Sequence, residues 1–193
     1  MREDPIVQTI DYADLTRLSN TLDAEKPYVE LIDGVELPKA SPMTRHGQLQ
    51  LRLGGILQAW AAERGVVGTE WRFWLVPIGD RRTSLVPDVA YASTERLVPL
   101  SDEAYEIPPF APDVAIEVRS PSDRAGNIRR KIELYLAHGA HLVLDVDPAK
   151  RRIVAHDATS ARSFADGDRF EHAAMPGLSF DVRALFDSAK RRG

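Results

Sequence analysis

The sequence predicts an α/β (α+β) fold, a mixed β-sheet flanked by helices, and two stretches carry most of that prediction. Residues 113–147 combine an alternating strand, a helix with an apolar stripe and a second strand that is almost wholly apolar. A strand–helix–strand unit with a fully apolar strand is typical of a sheet that is covered on both faces. Further upstream, Asp33-Gly34 separates two short apolar runs, which indicates an antiparallel hairpin.

The first third of the chain is expected to contain a helix, the hairpin and a second helix. Apolar residues recur at helical spacing within residues 1–25 and predict a helical lead-in. They are Tyr12, Leu15 and Leu18. The hairpin occupies residues 28–37. Ser41-Pro42 is a typical helix start, and Gly65 is the expected end of the helix that follows.

The middle of the chain is predicted to be rich in strands before the strand–helix–strand unit begins. Residues 66–91 read as short strands, and the proline-rich, acidic stretch 94–112 as an irregular loop. The helix of the unit is expected to begin after Ser120-Pro121 and to end at Gly139. Short strands and a terminal helix complete the chain.

Composition narrows the classes of protein that the chain can belong to. It has 193 residues, no cysteine and a net charge of −4. The missing cysteines exclude disulfide scaffolds, zinc–thiolate sites and cysteine nucleophiles, and they fit the cytoplasm, which is the expected location. Neither a secretory signal nor a membrane-spanning run is visible. We expect a single domain over residues 1–193, with a lead-in at 1–25, a core at 28–148 and C-terminal strands and a helix at 149–193.

Three charged residues stand on neighbouring predicted elements. Asp88 follows a proline at a strand, and Glu117 lies on the polar side of the next strong strand. Lys131 lies on the rim of the following helix's buried stripe, where an ammonium must extend to water or find a carboxylate. Metal-assisted phosphodiester cleavage needs two carboxylates and a nearby ammonium. The carboxylates hold Mg²⁺, and the lysine orients or deprotonates the attacking water, or neutralises charge on the phosphorus.

Each of these residues also has an ordinary structural explanation. A Pro-Asp pair at a strand end is a common turn, a glutamate on a polar strand face is commonly solvated, and a lysine on a helix rim commonly extends to water. Their order along the chain (strand aspartate, strand glutamate, helix lysine) gives the functional explanation equal standing.

An ordered series of short motifs gives the chain a family resemblance. The series contains Tyr28-Val-Glu-Leu-Ile-Asp-Gly34, Ser41-Pro42 with His46-Gly47, Pro87-Asp88-Val89, Ala115-Ile-Glu-Val-Arg-Ser-Pro-Ser122, Lys131 with Tyr135, Gly139 and Asp147-Pro148. In this order and spacing the motifs resemble the Uma-type family of PD-(D/E)xK endonucleases, over about residues 28–148. The resemblance implies a restriction-endonuclease-like fold, in which a mixed sheet is flanked by helices.

The resemblance also implies roles for individual residues. Asp88 and Glu117 would be the metal-binding pair, and the backbone carbonyl of Val118 would be a further ligand to Mg²⁺ or Mn²⁺. The family pattern carries a glutamate in the first hairpin strand, which Glu30 matches and from which it could reach the metal. His46 points partly inward at the start of its helix, either as a hydrogen-bonded structural histidine or as a residue behind the metal ligands.

The chain departs from the general nuclease signature at Arg119. The signature places a lysine two positions after the acidic residue, and an arginine there can bind the scissile phosphate but cannot act as a base. The Uma-type pattern moves its lysine to the following helix, where Lys131 matches it. A second departure is Leu144, where the family usually has an aromatic residue, and we interpret it as a packing difference.

The leading hypothesis is a Mg²⁺-dependent endonuclease that acts on nucleic acid, with DNA as the expected substrate. A homodimer is expected because cutting a duplex takes two active sites. One rival is a nuclease-like module that binds nucleic acid or a protein without cutting, which the net charge and Arg119 favour. The other is a metal-dependent hydrolase of a smaller phosphoester, since the same residues would serve it.

Overall fold

The computed structural model describes residues 29–39, 43–75 and 82–187. The helical lead-in predicted within residues 1–25 and the helix start predicted at Ser41-Pro42 lie outside the described residues. Within the described ranges there are twelve strands and five helices. None of these helices has the length and apolar character that crossing a bilayer requires.

The strands and helices alternate irregularly along the chain. The strands are β1 (Val29–Ile32), β2 (Val35–Pro38), β3 (Gly65–Thr69), β4 (Phe73–Trp74), β5 (Ser84–Leu85), β6 (Val89–Ser93), β7 (Val114–Val118), β8 (Leu142–Asp147), β9 (Arg152–His156), β10 (Ala161–Phe164), β11 (Arg169–Glu171) and β12 (Ser179–Asp181). The helices are α1 (Thr44–Ala61), α2 (Thr94–Leu97), α3 (Asp102–Glu106), α4 (Ala125–Ala137) and α5 (Val182–Asp187).

The predicted mixed sheet is present as a six-stranded sheet with the order β10-β9-β8-β7-β6-β3. β7 and β8 pair in parallel, with Glu117 opposite Asp145, and the other neighbouring strands of this sheet pair antiparallel. α4 connects the parallel pair, as such a crossover requires. A second sheet has the order β2-β1-β5-β4 and contains the predicted hairpin.

Apolar residues cover both faces of the large sheet. On one face, Val114, Ile116 and Val118 of β7 pack in a core with Leu49, Leu53 and Leu57 of α1. On the other face, Ala115 packs in a second core with α4 and part of the smaller sheet. The prediction of a sheet flanked by helices is therefore confirmed. Because α4 covers the face that carries Ala115, that face is buried rather than solvated.

Two details of the sequence prediction are wrong. Residues 94–112 are not irregular throughout, since α2 and α3 lie there, and the Ser101 side chain accepts a hydrogen bond from Ala104 N at the start of α3. Gly65 does not end α1. It lies in β3, where a Cβ atom would stand 2.3 Å from the carbonyl oxygen of Ala92 on β6, so close strand approach explains this glycine.

Candidate functional site

The polypeptide crosses from the small sheet to the large one at Asp88. Residues 84–91, predicted as one strand region, divide into β5 of one sheet and β6 of the other. Pro87 lies in the connection, where the lack of an N–H group suits an interruption of strand pairing. Asp88 therefore stands immediately before β6, beside β7, and the residue is 1% exposed.

Glu117 and Lys131 meet beneath α4. Lys131 Nζ donates a hydrogen bond of 2.6 Å to Glu117 Oε2 and lies 2.9 Å from Glu30 Oε1. All three side chains are buried. The alternatives of a solvated Glu117 and of a Lys131 extending to water are thus wrong, because both groups lie under α4 as ion-pair partners.

Tyr135 holds the second oxygen of Glu117. Its hydroxyl donates a hydrogen bond of 2.8 Å to Glu117 Oε1, and the ring is fully buried. Tyr135 lies four residues after Lys131, so both side chains project from the same face of α4. Glu117 therefore has one hydrogen bond on each carboxylate oxygen, which fixes its orientation.

Asp88 is surrounded by donors of different kinds. Its Oδ2 accepts a hydrogen bond of 2.7 Å from Val118 N and lies 3.1 Å from His46 Nε2. Its Oδ1 forms an ion pair of 2.7 Å with Lys39 Nζ, and the same ammonium donates a hydrogen bond to the carbonyl oxygen of Val86. Each oxygen of Asp88 therefore has its own set of partners.

These residues line one small cavity between β1, β6, β7 and α4. Its charged lining residues are Glu30, Lys39, Asp88, Glu117, Asp123 and Lys131, and His46, Val118, Ser120 and Asn127 also contribute. Four carboxylates face two ammonium groups, so the lining carries an excess of negative charge when His46 is neutral. Such a cavity favours a cation or a proton.

The close packing of charged groups shifts the pKa values of Glu117 and Lys131. Burial, with the nearby carboxylates of Glu30 and Asp88, raises the pKa of Glu117 to about 7 against the lowering effect of Lys131. Burial also opposes the charge of Lys131, but the Glu117 and Glu30 carboxylates outweigh it and raise the pKa of this lysine above its ordinary value. Lys131 therefore carries its proton throughout the neutral range.

The partners of Asp88 lower its pKa, in contrast to the raised pKa of Glu117. Burial disfavours the ionised form, but the Lys39 ammonium and the His46 hydrogen bond outweigh it and hold the pKa of Asp88 well below its usual range. Burial opposes the charged form of His46, but the hydrogen bond to Asp88 and the Asp88 charge together outweigh burial and raise the pKa of His46. Asp88 is thus a carboxylate at every physiological pH.

The oxygen atoms at this site fit a hard divalent cation. Asp88 Oδ1 is buried and has the Lys39 ammonium as its partner among the described residues, and each Glu117 oxygen uses only one of its two lone pairs on a hydrogen bond. Mg²⁺ is usually held by one or two carboxylates and keeps several waters. Among the described residues no group of three or more His, Asp or Glu side chains is arranged to hold a metal ion.

Arg119 is the predicted site residue that the structure places elsewhere. Its guanidinium forms two hydrogen bonds with the Asp145 carboxylate, at 2.6 and 2.5 Å, and it is not among the residues that line the cavity. Glu30, His46, Asp88, Glu117, Val118 and Lys131 all line the cavity. The sequence reasoning missed Lys39 altogether and took Tyr135 for a core residue.

Comparison with known proteins gives the family to which the chain belongs. The family model described as "Uma2: Putative restriction endonuclease" matches residues 11–183, and the chain therefore belongs to that family. A solved structure, described as a putative nuclease belonging to DUF820 from Anabaena variabilis ATCC 29413, is similar with a TM-score of 0.75 and 20% sequence identity. The alignment covers 86% of this chain and 93% of that chain, and it confirms the restriction-endonuclease-like fold. No curated protein matches the chain.

Proposed function

We propose that the protein is a Mg²⁺-dependent endonuclease that hydrolyses phosphodiester bonds in DNA. The observation that carries the proposal is the convergence of Asp88 and Glu117 on one cavity, with the ammonium of Lys131 2.6 Å from Glu117. Membership of a family described as restriction endonucleases supports a nucleic-acid substrate. Neither observation depends on the other.

Asp88, Glu117 and the backbone carbonyl of Val118 are the proposed ligands of Mg²⁺ or Mn²⁺. When bound, a divalent cation supplies an activated water and stabilises negative charge on the phosphorus. The protein's part is to orient the two carboxylates and to keep Asp88 ionised. Val118 N and His46 hydrogen-bond to Asp88, and Tyr135 and Lys131 hydrogen-bond to Glu117.

Lys131 is the proposed third catalytic residue. Because its pKa is raised, it acts as a hydrogen-bond donor and a positive charge rather than as a base. It can orient the attacking water or stabilise charge that develops on the phosphate oxygens. Glu30 accepts from Val86 N and contacts Lys131, so its proposed task is to fix the position of that ammonium.

Arg119 is proposed to bind substrate phosphate after exchanging its present partner. The side chain is about a quarter exposed, and Arg119 follows Glu117 by two residues. Exchange of Asp145 for a phosphate would keep a bidentate interaction of the same kind. We also propose that the enzyme is a homodimer, since two sites are needed for a double-strand cut. Its proposed location is the cytoplasm.

The experiment that tests the proposal is a comparison of substrates with and without metal. The purified protein is incubated with supercoiled plasmid, a single-stranded RNA and bis(p-nitrophenyl) phosphate, each in Mg²⁺, Mn²⁺ or EDTA. We expect metal-dependent nicking of plasmid that Glu117→Gln abolishes. Cleavage of the small phosphoester alone would make the protein a hydrolase of smaller substrates. DNA binding without cleavage in any metal would make it a binding module.

A further inference from the structure

Lys39 occupies an unusual place in the candidate site. It follows β2 at the end of the hairpin, and its Nζ lies 2.7 Å from Asp88 Oδ1 and 2.7 Å from the carbonyl oxygen of Val86. The side chain is only 15% exposed. A buried ammonium therefore stands against the carboxylate that is proposed to hold the metal.

The oxygen that Lys39 faces is the one left open by every other donor. Val118 N and His46 both contact Oδ2, whereas Oδ1 is paired with the Lys39 ammonium at 2.7 Å. Two cations on one carboxylate oxygen repel each other strongly in a buried site, where screening is weak. The ammonium in its present place and a divalent cation on Oδ1 are therefore alternatives.

Lys39 is held less firmly than the other lysine of the cavity. Lys131 lies between two carboxylates, at 2.6 Å from Glu117 and 2.9 Å from Glu30, whereas Lys39 has one carboxylate and one carbonyl. Lys39 also extends from the end of an edge strand whose own side chains are mostly exposed. Displacement of the Lys131 ammonium would leave two buried carboxylates without a charge partner, whereas displacement of Lys39 would leave only one.

We propose that Lys39 is a placeholder cation, whose ammonium occupies Asp88 Oδ1 in the metal-free protein and has to leave before Mg²⁺ or Mn²⁺ binds. Lys39 then sets the metal affinity of the site, and its positive charge balances the negative charge of Asp88 when no metal is present. This inference rests on the proposed function, because it takes Asp88 as a metal ligand.

Calorimetric titration with Mn²⁺ tests the proposal on the purified protein. Lys39→Met removes the competing charge, so we expect Mn²⁺ to bind about tenfold more tightly than to wild type. Lys150→Met is the matched control, because Lys150 is an exposed lysine paired with Asp147 at 3.7 Å, and it should leave the affinity unchanged. An affinity of Lys39→Met equal to or weaker than that of wild type overturns the proposal.

The variant Asp88→Asn separates this inference from the proposed function. Mn²⁺ binding lost in Asp88→Asn but unchanged in Lys39→Met would overturn the placeholder role alone. Mn²⁺ binding retained in Asp88→Asn would overturn the proposed site and with it this inference. Each result is read from binding, without any measurement of cleavage.

A labelling experiment on wild type covers the case in which Lys39→Met fails to fold. An amine-reactive reagent is applied with and without Mn²⁺, and the modification of each lysine is measured by mass spectrometry. We expect Mn²⁺ to increase the labelling of Lys39 while Lys150 stays constant. Labelling of Lys39 that Mn²⁺ leaves unchanged or lowers would contradict its displacement.

Discussion

Lys131 Nζ lies 2.6 Å from Glu117 Oε2, although fourteen positions and a change from strand to helix separate the two residues. The crossover connection returns α4 over β7, so a lysine on the rim of the helix's apolar stripe is directed onto a glutamate of the strand. The pair is buried, which makes each charge dependent on the other. Most of the testable behaviour of the site follows from this dependence.

Removal of the Lys131 charge should destabilise the fold strongly. Lys131→Met leaves Glu30 and Glu117 buried without their ammonium, and loss of one partner of a buried ion pair costs about 3–5 kcal/mol. Urea denaturation followed by circular dichroism measures the change. Lys150→Met, on the surface, should stay within about 0.5 kcal/mol of wild type. Equal stability of the two variants would show that Glu117 and Lys131 do not depend on each other.

The Tyr135 hydroxyl should contribute to stability through Glu117. Tyr135→Phe removes the hydrogen bond to Oε1 and keeps the ring, so we expect a loss of about 1–3 kcal/mol in the free energy of unfolding. Tyr105→Phe provides the control, because Tyr105 is 39% exposed and should change stability little. If the two variants unfold alike, the buried hydroxyl does not support the carboxylate.

Stability of the metal-free protein should fall as the pH rises from about 5 to 8. The pKa of Glu117 is raised to about 7 in the folded protein, so the folded state favours the protonated form. The stabilisation that protonated Glu117 gives is complete below the ordinary carboxyl pKa, and it is lost as the pH passes about 7. The raised pKa of His46 acts in the same direction, burial of His156 lowers its pKa and acts in the opposite one, and the lowered pKa of Asp88 has no effect in this window.

Denaturation in EDTA at several pH values measures this effect. We expect wild type to lose about 1–3 kcal/mol between pH 5 and pH 8, and Glu117→Gln to lose much less. His46→Gln serves as a second variant that removes the histidine's share. A wild-type stability that rises over this range would contradict the assigned direction of the Glu117 shift.

Release of Arg119 should strengthen nucleic-acid binding if this residue contacts phosphate. Asp145→Asn removes the charge that holds the guanidinium, and fluorescence anisotropy with a labelled duplex in Ca²⁺ measures the result. We expect tighter binding with a steeper dependence on salt, because one more phosphate contact releases one more counterion. Arg119→Ala should reverse the gain in the double variant. Unchanged affinity in Asp145→Asn would assign Arg119 a purely structural role.

Periodicity explains why the centre of the fold could be predicted. The alternation over residues 113–119 and the apolar stripe of Ile128, Ile132 and Tyr135 specify β7, α4 and the face that each one buries. Because the helix that follows β7 packs back on it, the meeting of Glu117 and Lys131 follows from local pattern. Asp88 could be placed at a strand by the apolar run after Pro87, but the pairing of that strand with β7 is seen only in the structure.

Long-range pairing explains what the sequence could not show. Lys39 reaches Asp88 because β1 pairs with β5, and no pattern near residue 39 encodes that contact. Arg119 was expected at the phosphate, but its partner Asp145 comes from β8, in register with Glu117. Tyr135 has the spacing of a core residue and lies in the core. The pattern therefore gives no sign that its hydroxyl also donates a hydrogen bond to Glu117.

The most direct measurement is the rate of plasmid nicking as a function of Mg²⁺ concentration for wild type and Asp88→Asn. Asn preserves the shape of the side chain but removes the charge that would hold the cation. We predict a saturable dependence on Mg²⁺ in wild type and a rate at least about a hundredfold lower in Asp88→Asn at every concentration. Equal rates in the two proteins, or nicking in EDTA, would contradict a metal-dependent nuclease site at Asp88 and Glu117.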